Sequence, residues 1–236
     1  MIHWIILSLI LIGNLSAQFK VVELGRFGGT GSTPGLFNNP SAIDIGDGGR
    51  IYICDRGNHR IQVFDIRAKF LTNFGGYGSG EEKFDEPLDI WARSTINIYV
   101  ADFNNQCIQR YNKDHTYISS LYSNPGDDEK YQFERVLSVA YSPQGDMFIL
   151  DESEYKIIKI NPQSRGEVAF GYYESGGGEL TTPVQIDLTS NHRVLVSDAG
   201  RRTINYYDYF GSFIFMLAHT KMIYQWGIAL DNHNRL

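Results

Sequence analysis

The sequence predicts an all-β fold, and three observations support that prediction. The 236 residues include 24 Gly, 15 Tyr and 14 Phe, a mixture that suits many short strands joined by tight turns. Beyond the N-terminal region, no long segment has the i, i+3, i+4, i+7 apolar spacing of a helix. One pattern of strands and turns also occurs four times, at steps of 47, 49 and 47 residues.

Residues 1–17 are predicted to be a secretory signal peptide. Trp4 to Ile12 is apolar and uncharged, and small residues up to Ala17 provide a cleavage site. The apolar run is shorter than the roughly 20 residues that span a bilayer. We therefore expect a secreted, periplasmic or extracellular protein with no stable membrane span after cleavage. An uncleaved anchor and an ordinary first strand are the alternatives for this segment.

Four segments define the repeat: IYICDRGNHRIQVFD (51–65), IYVADFNNQCIQRYN (98–112), MFILDESEYKIIKIN (147–161) and VLVSDAGRRTINYYD (194–208). Each contains an aspartate followed six residues later by an isoleucine, and these aspartates are Asp55, Asp102, Asp151 and Asp198. A short carboxylate that closes a strand can accept hydrogen bonds from backbone N–H groups of the next turn. We therefore assign the four aspartates a structural role.

The first copy also contains Cys54, Arg56, His59 and Arg60, which invite a catalytic or metal-binding interpretation. The other copies do not keep these residue types: the position of His59, for example, is taken by a glutamine, a tyrosine and an arginine. This variation favours architecture over chemistry. The two cysteines, Cys54 and Cys107, occupy different repeat positions and are predicted to be buried thiols, with a disulfide as the alternative.

Each copy contains four strand-like pieces, which in the first copy are SAIDI (41–45), RIYIC (50–54), RIQVF (60–64) and KFLTNF (69–74). The second pieces are apolar without strict alternation, as expected of a strand covered on both faces. A four-stranded unit of about 47 residues that cannot bury both faces alone is typical of a propeller blade. The prediction is a β-propeller domain of four-stranded antiparallel blades over residues 18–236.

The pattern P-x-x-I-D-I … IYICD … N-H-R-I-Q-V-F … F-G resembles the NHL repeat, and residues 86–112 fit it nearly as well. Copies three and four depart from it, because Glu154-Tyr155 and Arg201-Arg202 replace the Asn-His pair. WD-type repeats, the structural rival, are disfavoured by the lack of regular Gly-His and Trp-Asp pairs.

The resemblance to the NHL family implies six blades, whereas the sequence has four copies and the start of a fifth at residues 227–231. We therefore expect the domain to be incomplete at its C-terminus by about 70 residues. Residues 21–29 resemble the last strand of a copy and would complete the final blade. A shorter closed propeller, or a chain that pairs with another, is the alternative.

The loops that follow the second and last strands of each copy are predicted to lie on one face, because strands of a meander alternate in direction. These loops vary between copies, and variable loops on a rigid scaffold are where binding usually occurs. The predicted partner is a protein, a peptide or a glycan, and solvated turns without a partner are the alternative. The candidates are Arg56, Asn58, His59, Asn104, Asn105, Gln106, Glu152, Glu154, Arg201 and Arg202.

A metal-dependent enzyme of the lyase or hydrolase class is the alternative to this binding scaffold, because some propellers related to the NHL family have such a site at the central channel. Asp44, Asp89 and Asp187 are expected at equivalent positions on the innermost strands, with Asp231 matching them. There they could hold Ca²⁺ or cap the next turn. The histidines share no repeat position, which argues against Zn²⁺. We assign no catalytic residue and predict no cofactor, with Ca²⁺ or Zn²⁺ as the alternative.

Nucleic acid and nucleotides are not expected ligands. The net charge of −6 opposes a polyanionic partner. The Gly-rich loops lack the GxxxxGK[ST] pattern of a phosphate-binding loop, and no GxSxG pattern marks a nucleophilic serine.

Overall fold

The computed structural model describes residues 25–218 and 227–230, without the side chains of residues 174 and 175. The predicted signal peptide, His3, His219, Asp231 and His233 lie outside the described residues. The described strands form four antiparallel sheets, each with its four strands in sequence order. We call these sheets blades 1 to 4, and the prediction of an all-β propeller is confirmed.

The strands are β1 (Ala42–Ile45), β2 (Ile51–Asp55), β3 (Arg60–Phe64) and β4 (Phe70–Gly75) in blade 1; β5 (Pro87–Trp91), β6 (Asn97–Asp102), β7 (Cys107–Asn112) and β8 (Tyr117–Tyr122) in blade 2; β9 (Val136–Tyr141), β10 (Met147–Asp151), β11 (Lys156–Ile160) and β12 (Gly166–Phe170) in blade 3; and β13 (Pro183–Leu188), β14 (Val194–Asp198), β15 (Thr203–Tyr207) and β16 (Phe213–Ala218) in blade 4. Short 3₁₀ turns occupy Asp47–Gly49, Arg56–Asn58, Glu129–Tyr131 and Tyr173–Gly178.

The core lies between neighbouring blades. Tyr52 and Ile61 of blade 1, for example, belong to one buried cluster with Ile98 and Val100 of blade 2. The second strand of each blade is buried along almost its whole length, which explains why its sequence does not alternate between apolar and polar residues. Cys54 and Cys107 are free, buried thiols, as predicted.

The two ends of the described chain cover the outer faces of the terminal blades. Phe27 lies with its ring centre 5.3 Å from that of Phe64 on blade 1. At the other end, Ile228 packs in a cluster with Leu195 and Ile204 of blade 4, and its backbone N–H donates to Gln185 Oε1 at 2.7 Å. Residues 227–230 therefore occupy the place that the first strand of a next blade would take.

The propeller has two faces, one at each end of the strands, which we call the upper face and the lower face. The upper face contains the turns after β2, β6, β10 and β14 and the loops that lead into the blades (28–40, 76–86, 123–135 and 171–182). The lower face contains the turns after the first and third strand of each blade. Within the described residues, no helix is long and apolar enough to cross a membrane.

Candidate functional site

The four repeat aspartates fasten the upper loops to the blades. Asp55 Oδ1 accepts a hydrogen bond from the backbone N–H of Asn38 at 2.7 Å, and Asp102 Oδ1 accepts one from Asp85 at 2.8 Å. Each donor lies 17 residues before its aspartate, in the loop that leads into the same blade. All four aspartates are fully buried, so their hydrogen bonds must come from the protein.

The same arrangement holds in the other two blades. Asp151 accepts from the backbone N–H groups of Glu134 and Arg135 at 3.0 and 2.8 Å. Asp198 accepts from those of Thr181 and Thr182 at 2.7 and 3.0 Å. The sequence-based prediction placed these donors in the following turn, and only Asp198 has backbone donors there, Gly200 and Arg201. The prediction was wrong for the other three aspartates because the loop that leads into each blade folds back over the end of the second strand. Its backbone N–H groups, and not those of the following turn, donate to the carboxylate.

Two buried glutamines also donate hydrogen bonds to two of these aspartates and together with them form an aspartate network at the upper face. They were not predicted from the sequence. Gln62 Nε2 donates to Asp55 Oδ2 at 3.0 Å and to the Leu36 carbonyl at 2.7 Å. Gln109 makes the equivalent bonds, to Asp102 Oδ2 and to the Lys83 carbonyl. Both follow their aspartate by seven residues, a spacing that could have revealed them in these two copies.

Two of the ten predicted binding residues belong to this network rather than to the surface. Asn58 Nδ2 donates to Asp55 Oδ2 and to the Gly31 carbonyl, both at 2.9 Å. Asn105 Nδ2 donates to Asp102 Oδ2 and to the Gly78 carbonyl, both at 2.8 Å. The structure therefore gives the side chains of Asn58 and Asn105 a role in holding the upper loops.

The residue four positions after each repeat aspartate has left-handed backbone geometry. The φ angles are 53° at His59, 56° at Gln106, 51° at Tyr155 and 57° at Arg202. Such a conformation is unfavourable for most residues other than Gly, although Asn, Asp and His adopt it more often than the rest. Gly57 is needed in the same turn of blade 1 for a different reason, because a Cβ there would lie 2.8 Å from the Asn38 carbonyl oxygen.

Three of the predicted binding residues form ion pairs with the upper loops. Arg56 pairs with Glu86 at 2.6 Å, Glu152 with Arg135 at 2.8 Å, and Arg201 with Glu179 at 3.1 Å. His59 Nδ1 accepts from the backbone N–H of Glu86 at 3.2 Å. Partly exposed pairs of this kind contribute little stability, but they fix the positions of the side chains on the upper face.

The remaining candidates, Asn104, Gln106, Glu154 and Arg202, are exposed on the upper face. Asn104 Nδ2 donates to Asp85 Oδ1 at 3.3 Å, and Glu154 accepts from Lys156 Nζ at 2.5 Å. The structure thus places all ten candidates on one face, in the turns after the second strands.

Exposed tyrosines on the same face were not identified from the sequence. Tyr77 is 72% exposed, Tyr122 55%, Tyr155 41% and Tyr173 83%. These are the exposed tyrosines among the described residues, and all four lie in upper loops or at the upper end of a strand. Tyr77, Tyr155 and Tyr173 were missed because they occur in Gly-rich or charged loops, and Tyr122 because it ends a strand.

The central channel contains a charged bridge rather than a ring of free carboxylates. Arg93, in the β5–β6 turn, donates from Nε to Asp44 Oδ1 at 3.0 Å and from Nη1 to Asp187 Oδ1 at 2.7 Å. A second bond, from Nη2 to Asp187 Oδ2 at 3.1 Å, makes the latter pair bidentate. Burial raises the pKa of Asp187, and the adjacent guanidinium opposes that rise. Arg93 therefore joins blades 1, 2 and 4.

Asp89 is not equivalent to Asp44 and Asp187, contrary to the sequence-based prediction. Asp44 pairs across the sheet with Tyr52 and Asp187 with Leu195, whereas Asp89 pairs with Ala101. Asp89 lies two positions earlier on its strand, which keeps its side chain on the same face but moves it by about 7 Å along the strand.

Asp89 occupies a separate polar pocket beside the bridge. Its Oδ2 accepts from Ser138 Oγ at 2.5 Å and from the backbone N–H of Val139 at 3.2 Å, and its Oδ1 accepts from Gln185 Nε2 at 3.4 Å. Burial raises the pKa of Asp89 to about 7, although the bonds from Ser138 and Val139 oppose the rise. The carboxyl group therefore changes its charge near neutral pH.

Within residues 25–218 and 227–230, no three His, Cys, Asp or Glu side chains come together in a geometry that could hold a metal ion. Arg93 occupies the space between Asp44 and Asp187 where a cation would otherwise balance them. The metal interpretation of Asp44, Asp89 and Asp187 thus gains no support from the described geometry.

Comparison with solved structures defines the class of protein. Virginiamycin B lyase from Staphylococcus aureus superimposes with a TM-score of 0.56 at 10% identity, over 77% of this chain and 56% of that one. A chain of the nidogen/laminin complex gives a TM-score of 0.58 at 13% identity, over 80% of this chain and 66% of that one. Identities this low show the fold alone, and the fold is a β-propeller.

Comparison of sequences identifies the repeat. The family model described as the NHL repeat matches residues 37–64, which cover the first three strands of blade 1. Human NHL repeat-containing protein 3 is 45% identical over 52 residues, or 22% of this chain and 14% of that protein. The human E3 ubiquitin-protein ligase TRIM32 is 49% identical over 41 residues, or 17% of this chain and 6% of that protein. The chain carries an NHL repeat, and the predicted resemblance is confirmed.

Proposed function

We propose that this protein is a binding scaffold whose upper face recognises a protein, a peptide or a glycan. The upper loops differ from blade to blade, but each is fastened to a buried aspartate. Residues that bind are therefore presented on a rigid support, which lowers the entropy lost on binding. Propeller architecture and the NHL repeat support a scaffold, and the choice of face rests on the side chains.

The single observation that carries this proposal is the placement of the exposed tyrosines. Tyr77, Tyr122, Tyr155 and Tyr173 all lie at the upper face, whereas the exposed aromatic residue among the lower turns is a phenylalanine, Phe210. Tyrosine combines a large apolar ring with a hydroxyl group and is enriched at binding surfaces. A glycan or a peptide could stack on these rings and bond to the hydroxyl groups.

The charge of the upper face limits the kind of partner. Its loops and turns contain twelve acidic and six basic side chains by sequence, counted over 28–40, 56–59, 76–86, 103–106, 123–135, 152–155, 171–182 and 199–202. A surplus of acidic groups disfavours a polyanionic partner and accelerates the approach of a neutral or basic one.

Photo-crosslinking tests the choice of face. A photoreactive phenylalanine analogue replaces Tyr77 in one variant and Phe210 in the other. Both residues are 72% exposed, so the pair is matched in access to solvent. The variants are exposed to extracellular material of the source organism, and the covalent products are identified by mass spectrometry. We expect a discrete product from position 77 that position 210 does not give.

Equal products from both positions would contradict an upper-face site. Products from position 210 alone would move the site to the lower face. If the product at position 77 contains a carbohydrate, a glycan array then identifies the sugar. If it contains a polypeptide, mass spectrometry identifies the protein partner.

We also propose that the protein is exported, with the apolar segment from Trp4 to Ile12 as the signal. N-terminal sequencing of protein recovered outside the cell tests this. The expected first residue is Gln18. Recovery of the protein only inside the cell, beginning at Met1, would contradict export.

A metal-dependent enzyme remains the alternative, and metal analysis separates it from the scaffold. The purified protein is dialysed and its Zn and Ca content is measured, together with its melting temperature before and after chelation. Stoichiometric metal that survives dialysis would favour the enzyme. A metal-free protein with the same melting temperature after chelation would favour the scaffold.

A further inference from the structure

The lower face of blades 1 and 2 has three exposed isoleucines that belong to none of the buried clusters. Ile45 ends β1, Ile66 lies in the β3–β4 turn and Ile96 lies in the β5–β6 turn, and they are 53%, 68% and 65% exposed. Isoleucine suits strands, whereas turns favour Gly, Asn, Asp, Ser and Pro. The lower turns of blade 3, SPQGD (142–146) and NPQSR (161–165), have such turn residues instead.

Basic side chains lie in the lower turns of the same two blades as these isoleucines. Arg50, Arg67, Lys69 and Lys113 are exposed in the lower turns of the same two blades. Arg50 Nη1 donates to the Lys113 carbonyl at 3.2 Å, which joins a turn of blade 1 to one of blade 2. This hydrogen bond therefore brings basic residues of the two blades together on the lower face.

The acidic residues of these turns are Asp47, Asp65 and Asp114. Asp65 Oδ1 accepts from the backbone N–H groups of Arg67 and Lys69, both at 2.9 Å. It thus holds the two basic residues at the tip of the β3–β4 turn next to Ile66. Asp44, which is buried, is paired with Arg93.

The whole molecule is polarised in charge. The upper loops contain twelve acidic and six basic side chains, whereas the lower turns contain five acidic and seven basic ones, counted over 46–50, 65–69, 92–97, 112–116, 142–146, 161–165, 189–193 and 208–212. One of the seven, Arg93, is paired with the buried Asp44 and Asp187. A negatively charged surface would repel the upper face and attract the lower face, and would therefore orient the molecule.

We propose that the lower face of blades 1 and 2 docks on an anionic lipid bilayer. Ile45, Ile66 and Ile96 enter the boundary between the headgroups and the acyl chains. Arg50, Arg67, Lys69 and Lys113 contact the lipid phosphates, since their long side chains can reach the headgroups while their stems cover apolar surface. Docked in this orientation, the propeller presents its upper face away from the bilayer, where a partner can reach it.

Vesicle co-sedimentation tests the proposal. The vesicles contain phosphatidylcholine alone or with roughly a third phosphatidylserine, whose surface potential attracts basic residues. The full chain is compared with a chain that begins at Gln18, which retains every described residue and lacks the apolar segment 4–12. We expect both chains to bind the anionic vesicles more tightly than the neutral ones, and added salt to weaken that binding.

Variants assign the binding to the isoleucines. Replacing Ile45, Ile66 and Ile96 together by Ser should weaken anionic vesicle binding by at least about tenfold, because three apolar side chains no longer leave water. Ile66→Glu should weaken anionic vesicle binding more than Gln163→Glu does. Gln163→Glu adds the same charge to the equivalent outer turn of blade 3 and is the matched control. All these positions are exposed, so the melting temperatures should be unchanged.

The proposal is overturned if the chain beginning at Gln18 does not sediment with anionic vesicles, or if the triple Ser variant sediments as the unmodified chain does. Equal binding to neutral vesicles would contradict the role of the basic residues. The double change of Tyr77 and Tyr173 to Ser should leave vesicle binding unaltered, so failure at this face is distinguishable from failure of the upper-face proposal.

Discussion

At the scale of single residues, the repeat aspartates have the same task but different surroundings. Asp55 pairs with Arg60, whose Nε lies 2.8 Å from Oδ2. The position of Arg60 is taken in blade 2 by Cys107, a buried thiol whose pKa is raised to about 12 by its burial and by Asp102. Burial raises the pKa of Asp102 to about 6 despite three bonds from Asn105, Asp85 and Gln109.

Asp102→Ala should lower the free energy of unfolding by roughly 2–4 kcal/mol, because it removes three hydrogen bonds and leaves buried donors without an acceptor. Urea unfolding at neutral pH measures the change. Asp47→Ala, at an exposed position on the lower face, should change the free energy by less than about 0.5 kcal/mol. Similar small values for both variants would refute the anchoring role of Asp102.

Tyr155→Gly should raise the stability of the protein and weaken the binding of its partner. Its φ of 51° is unfavourable for a tyrosine, so glycine at this position should raise the free energy of unfolding by about 1 kcal/mol. The same change removes an exposed ring from the upper face and should weaken binding of the partner. Thermal unfolding and a binding titration on the same sample test this pair of effects. A less stable variant with unaltered binding would contradict both parts.

At the scale of elements, inter-blade contacts combine apolar clusters between the sheets with polar contacts. The charged bridge of Arg93 lies at the channel. Arg93 reaches from the β5–β6 turn of blade 2 to carboxylates on β1 and β13. Asp187 is only 3% exposed in its side chain, so its charge depends on the guanidinium for compensation. Breaking such a pair on one side leaves a buried charge without a partner.

Arg93→Met should lower the free energy of unfolding by about 2 kcal/mol at neutral pH, with part of the loss recovered in acid as Asp187 becomes protonated. The expected loss is smaller than for a fully buried pair because the Arg93 side chain is 35% exposed and water screens its charge. The matched control is Arg165→Met in an exposed lower turn of blade 3, which should be neutral. A loss that is the same in acid and at neutral pH would argue against the bridge.

At the scale of the whole molecule, the raised pKa of Asp89 makes the free energy of unfolding depend on pH. Its pKa is about 7 in the folded protein and about 4 in an unfolded chain. Between these values the folded protein binds more protons than the unfolded chain, so this group lowers the free energy of unfolding as pH rises. The effect is absent below pH about 4 and complete above pH about 8.

Asp89→Asn should therefore flatten the fall in stability between about pH 5 and 8, with a difference of at most a few kcal/mol. The groups that face Asp89 are Ser138, the backbone of Val139, Gln185 and the more distant Asp44. Denaturant titrations at a series of pH values give the slope of unfolding free energy against pH for the variant and for the unmodified protein. Parallel pH profiles for the variant and the unmodified protein would show that Asp89 is ionised throughout.

The fold could be predicted from the sequence because four copies of one spacing require four equivalent units, and each unit buries its faces only against its neighbours. The site could be predicted less completely. Arg93 and Asp187 are 94 residues apart, and no local pattern connects them. Tyr77 lies in a Gly-rich loop where only the packed structure shows that its ring points to solvent. Asp89 was misplaced by two positions although the sequence shows the difference, since Asp89 lies 13 residues before Asp102 whereas Asp44 and Asp187 lie 11 residues before Asp55 and Asp198.

The central claim is that the upper face binds, and the affinity of the partner captured at position 77 tests it most directly. Dissociation constants are measured for the unmodified protein, for the double variant Tyr77→Ser/Tyr173→Ser and for Phe210→Ser. We predict a loss of at least about tenfold for the double variant and none for Phe210→Ser. Unchanged affinity in the double variant, or a larger loss from Phe210→Ser, would contradict the claim.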